Sequence, residues 1–203
     1  MAGRTAASRS GVRIEAFTVA WMAVEAAVAV GAGLAARSVL LTAFGLDSVI
    51  ELLSAGALLW RLQVEAAGGD QQRVVAAERR VVRVSAVLLV LLCAYVVVTA
   101  ALGLVLRVQP EGSVLGLVVA AAAVVVMPLL AWRKRGVNRT LESAALRADI
   151  VETLTCAYLA GATLVGVGLN LVLHWWWAEY LCALALLWWL AREAWETVQA
   201  ARD

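Results

Sequence analysis

The sequence predicts an all-α polytopic membrane protein of six transmembrane helices, on three observations. Of its 203 residues, 64% are hydrophobic and 16% charged, with a mean hydropathy of +0.87, which leaves too little polar surface for a soluble domain of this size. The apolar residues are gathered into six runs near the ~20 residues needed to cross a hydrocarbon core. Finally, nearly all basic residues flank these runs on one side only, as membrane topology demands.

The expected helices span 13–36, 38–60, 84–107, 114–132, 143–173 and 175–197, and together make residues 1–203 a single transmembrane domain with no soluble domain. The first run is longer than the apolar part of a signal peptide, and the second follows almost at once, so the two read as a helical hairpin. Between the second and third lies the longest connection, Arg61 to Arg83, which is charged and reads as a helical extension of its neighbours. The fifth run is long enough to tilt or to project beyond the membrane. The sixth opens on Trp175, Trp176 and Trp177 and closes on Trp195, an aromatic belt that also includes Trp132.

Orientation follows from charge. Arg4, Arg9 and Arg13 precede helix 1; Arg61, Arg73, Arg79, Arg80 and Arg83 separate helices 2 and 3. Arg133, Lys134, Arg135, Arg139 and Arg147 lie between helices 4 and 5 or in the first turn of helix 5, and Arg192 and Arg202 close the chain. Only Arg37 and Arg107 lie on the other side, so the basic side is cytoplasmic and both termini are expected there, in the inner membrane of a cell. The net charge of +2 excludes a nucleic-acid partner on electrostatic grounds. Cys93, Cys156 and Cys182 are widely separated inside apolar runs, which fits neither a disulfide framework nor a metal clip. No catalytic triad or phosphate-binding glycine loop is present, so neither an enzyme nor ATP coupling is expected.

Carboxylates inside the spans carry the functional signal, because an ionisable group in hydrocarbon is expensive and marks a function by default. Helix 2 carries Asp47 and Glu51, and helix 5 carries Asp149, Glu152 and Cys156. Spacings of three and four place each set on one helical face. At a rise of 1.5 Å per residue, Glu51 lies about 13 Å from Trp60 and Asp47 about 20 Å; from Ser143, Glu152 lies about 13 Å and Cys156 about 20 Å. Two layers are expected, Glu51 with Glu152 and Asp47 with Cys156. Crowded carboxylates in a low dielectric need protons or a cation between them. Four oxygen and sulfur donors suit tetrahedral zinc, and sulfur argues against magnesium and calcium, with manganese, iron, cobalt and cadmium left open. The bland alternative is hydrogen bonding between helices.

The strings GLDSVIELLSAG (45–56) and RADIVETLTCAYLAG (147–161) resemble helices 2 and 5 of the cation diffusion facilitator, or cation efflux, family. The resemblance covers roughly residues 17–60 and 144–170. It implies a divalent-metal site midway through the membrane, with Asp47, Glu51, Glu152 and Cys156 as ligands and Asp149 matching an acidic residue that precedes the helix 5 pair. This chain departs from the common pattern: Glu51 stands for Asp, Glu152 for His and Cys156 for Asp. With no cytoplasmic domain after helix 6, it is similar to the short branch of transmembrane zinc transporters. The resemblance implies Zn²⁺ efflux from the cytoplasm by proton antiport, with zinc as substrate, and a homodimer formed through membrane helices. The alternative is a non-transporting membrane metal-binding or sensor protein, or a partner subunit.

Among the remaining ionisable residues, Glu25 lies mid-span in helix 1 and is an accessory candidate, either lining the pathway or hydrogen-bonding a neighbouring helix. Asp149 is a second, with three roles open: recruiting cations at the inner mouth, pairing with Arg147, or stabilising the helix 5 N-terminus. Glu15, Glu179 and His174 are expected at the interfaces, and Cys93 and Cys182 in the core. Gly161, Gly166 and Gly168 are expected to allow close helix packing.

Overall fold

Long runs of Ala, Leu and Val, interrupted by few helix breakers, give an all-helical chain in the computed structural model, which describes residues 2–66 and 71–200. The helices are α1 (Ala2–Ala35), α2 (Val39–Ala66), α3 (Gln71–Val105), α4 (Val114–Leu141), α5 (Ala144–Leu173) and α6 (Trp176–Ala200). Several outrun their apolar segments. α1 and α3 begin well before the expected residues 13 and 84, and α4 continues past Trp132 to Leu141. Polar flanks rich in Ala, Arg and Gln remain good helix formers, so the edge of the apolar run does not end the helix. The charged connection is thus largely helical, as expected, while its residues 67–70 lie outside the described part. So does Arg202, together with the side chains of Arg4 and Arg73.

Turns end the helices by local chemistry. Ser113 and Ser143 cap α4 and α5, their hydroxyls accepting from the backbone N–H groups of Gly116 and Leu146. Arg37, Arg107, Glu142 and His174 all adopt left-handed φ between 52° and 56° at helix C-termini.

Among the described residues, α1 to α5 each contain a segment long and apolar enough to cross a membrane. α6 falls short because its tryptophans and the charged Glu179, Arg192 and Glu193 dilute its hydropathy, but it packs along α3, α5 and α2 as a full member of the bundle. α2 is central, touching α1, α3, α5 and α6. One end of the bundle carries Arg13, Arg133, Arg135, Arg139 and Arg192; the other carries Arg37 and Arg107.

Glycines bring α1 and α2 together backbone to backbone. A Cβ on Gly45 would stand 2.6 Å from the Val30 nitrogen, and one on Gly33 would stand 2.6 Å from the Thr42 nitrogen. In helix 5 Gly166 packs closely against the side chains of Leu40 and Cys182, while Gly161 and Gly168 have ordinary clearance. Backbone cannot retreat as a side-chain tip can, so Gly45→Ala is expected to destabilise the fold by about 1–3 kcal/mol. Thermal unfolding in detergent measures this, with Gly56→Ala, which meets nothing within 4 Å, as the neutral comparison.

Candidate metal centre

The middle of the bundle is built from α1, α2, α5 and α6, and its core includes Met22, Ala29, Phe44, Ile50, Leu159 and Leu190. Into this apolar frame α2 projects Asp47 and Glu51, one turn apart and both buried. Three of their four carboxylate oxygens, Asp47 Oδ2 and both of Glu51, have no hydrogen-bond partner. Such groups cost several kcal/mol unless something compensates them.

Cys156 of α5 is fully buried beside them and lies within electrostatic range of Glu51. Its thiol donates to Glu25 Oε1 at 3.4 Å. Glu25 is the best-satisfied acid of the group: Ser48 Oγ donates to the same oxygen at 2.8 Å, and Trp21 Nε1 donates to Oε2 at 2.7 Å. Hydrogen bonds from α1, α2 and α5 therefore hold it at the edge of the cluster.

Cys156 lies within electrostatic range of Glu51, Glu25 and Asp47, and its thiol and the Ser48 hydroxyl meet at one Glu25 oxygen, so it stands beside the Asp47–Glu51 stretch of α2. Glu152 is only partly buried and lies within electrostatic range of Asp149, Glu193, Lys134 and Glu15 as well as of Asp47 and Glu51. Among the described residues, no three His, Cys, Asp or Glu side chains converge closely enough to hold a metal in this conformation.

Asp149 does not pair with Arg147. It accepts from Lys134 Nζ at 2.5 Å, and Lys134 also approaches Glu15 Oε2 at 3.1 Å and donates to Thr153 Oγ1 at 3.3 Å. Lys134 and Glu15 are each 1% exposed. Both face the inside of the bundle: because α4 runs on to Leu141, Lys134 falls on its inward face, against Glu15 of α1. That Lys134 is the only lysine of the chain was the available sequence signal.

Glu179 is likewise buried. At the opposite end of the bundle it accepts from Ser38 Oγ and from Asn170 Nδ2, and Asn170 also donates to the Pro110 carbonyl. His174 is exposed and caps the C-terminus of α5. Cys93 and Cys182 pack, half-buried, against the core.

One acid escaped the sequence reading. Glu193 of α6 places Oε2 in the interior without a partner and lies within electrostatic range of Asp47, Glu51 and Glu152. The apolar stripe Leu186, Leu190 and Ala194 marks the buried face of α6, and Glu193 falls three residues after Leu190, on that face.

Comparison with known families matches residues 16–202 to the cation efflux transmembrane domain. No curated protein matches the chain.

Proposed function

Since the chain belongs to the cation efflux family of divalent-cation transporters, we propose that it moves Zn²⁺ out of the cytoplasm by proton antiport, with Asp47, Glu51 and Cys156 as the core of the site. It is a multi-pass membrane transporter and not an enzyme. The observation that carries the reading is the set of unpartnered buried oxygens on Asp47 and Glu51 beside the Cys156 thiol. A structural acid in this position would be hydrogen-bonded, as Glu25 is.

The donor set favours a borderline-soft ion. Carboxylate oxygen with one sulfur suits zinc and disfavours magnesium and calcium. A thiol or carboxyl group must shed its proton before it ligates a metal, so cation and proton compete for the same atoms, and loading one releases the other. Glu152 and Glu193, closer to the basic end, would receive the cation on its way from the cytoplasm, which the positive-inside rule puts at that end. Closing the donors on the ion requires α5 to shift against α2, the type of rearrangement that alternating access employs. Pairing of two copies through the membrane helices belongs to the same reading.

Reconstitution in liposomes tests it. With an acidic interior, Zn²⁺ is expected to accumulate inside while protons leave, and Mg²⁺ is expected not to. Zinc uptake that persists unchanged after the proton gradient is collapsed would exclude antiport. Wild-type flux from an Asp47→Ala, Glu152→Ala double variant would exclude the site. Stoichiometric zinc binding without flux would favour a static metal-binding protein.

A further inference from the structure

At the basic end, α1 and α4 leave a groove on the outside of the bundle, away from the metal centre. Its outer part, about 570 Å³, is lined by Ser10, Ile14, Arg133, Arg135 and Arg139, with Trp132 at its side. A second hollow of about 330 Å³ continues it toward the membrane middle between Arg13, Phe17, Val126, Leu129 and Leu130. The two share Ile14 and Arg133 as lining residues, so they adjoin, with two chemistries side by side. Guanidinium groups crowd one end, and hydrocarbon lines the other.

Three features distinguish this groove from ordinary lipid-facing surface. Arg13, Arg133, Arg135 and Arg139 are all exposed, and among the described residues none of them forms an ion pair. Lys134, immediately beside Arg133, is by contrast fully neutralised inside the bundle, so the positive charge of this face belongs to the arginines alone. Phe17 and Trp132 are 56% and 68% exposed along the same groove, aromatic surface that prefers the headgroup boundary.

We propose that the groove is a binding site for an anionic phospholipid of the surrounding bilayer. The planar guanidinium forks of Arg13 and Arg133, with Arg135 and Arg139 above them, hold the headgroup phosphate, a pairing that Arg makes with two parallel hydrogen bonds. One acyl chain lies along Phe17, Val126 and Leu129. A free phosphate would use only the basic half and a zwitterionic lipid would forgo the net charge, whereas an anionic phospholipid matches both halves. A lipid seated there straddles α1 and α4 directly outside the Lys134–Glu15 contact, and so ties together the two helices that this contact joins.

The test is lipid-dependent thermal unfolding of the purified protein in detergent, combined with native mass spectrometry to count retained lipid. Phosphatidylglycerol is expected to raise Tm by several degrees more than phosphatidylcholine of the same chains, and inorganic phosphate alone is expected to have little effect. Arg13→Gln with Arg133→Gln should remove at least half of that difference while leaving lipid-free Tm in place; Arg107→Gln, at the opposite end, should keep all of it. Equal protection by phosphatidylcholine, an equal shift with phosphate alone, or an undiminished phosphatidylglycerol effect in the double variant would overturn the proposal. If the double variant unfolds early without lipid, Arg13→Gln alone reads the same titration against the same outcomes.

Discussion

Asp47→Asn is expected to reduce cation transport in liposomes on the order of 100-fold, at least the penalty of losing an outer-shell partner of a metal ligand, while leaving the metal-free protein as stable as before or more so. The second half is the diagnostic. Asp47 Oδ2 has no partner in the bundle, so the uncharged amide gives up no hydrogen bond made by that oxygen and relieves repulsion from Glu193, Glu152 and Glu25. Glu25→Ala should behave in the opposite sense. It removes the acceptor of Trp21, Ser48 and Cys156, and leaving buried donors unpaired costs about 1–3 kcal/mol. Zinc flux and thermal unfolding measured on the same two variants separate a ligand from a structural acid. An Asp47→Asn protein that unfolds several degrees early would make Asp47 structural.

Lys134→Met is expected to have the largest effect on stability. It strands Glu15 and Asp149, which have Lys134 as their shared cation across α1, α4 and α5. Breaking a buried ion pair by removing one partner costs about 3–5 kcal/mol, mostly because the remaining charge is left without compensation. Replacing the cluster whole, with Lys134→Met, Glu15→Leu and Asp149→Leu together, should restore most of the loss, since well-packed apolar groups are often as stable as the ions they replace. Thermal unfolding of the single and triple variants measures both. A single variant as stable as the wild type would mean that the cluster contributes nothing to holding α1, α4 and α5 together.

Much of this protein is legible in its amino-acid order. A run of about 20 apolar residues has one physical destination, and an ionisable group within it calls for an explanation. Helix count, the alternation of the chain and the polar faces of α2 and α5 follow from composition and from the 3.6-residue period. The membership in the cation efflux family that 45–56 and 147–161 suggest is borne out over residues 16–202.

What periodicity cannot supply is the origin of each helix along the bundle axis. Helices continue into the polar flanks of their apolar runs, so α2 ends at Ala66 and α4 at Leu141, and the edge of an apolar run does not say which side chains meet across the bundle. The extension of α4 also turns Lys134 inward onto Glu15 and Asp149, and the packing of α6 carries Glu193 into the interior. The sequence by itself therefore determined the solvent, the helices and which faces are polar, because these depend on local hydrophobicity and helical period. Only the tertiary structure decided which acids are paired and which are left without a partner, because that depends on how the helices pack against one another.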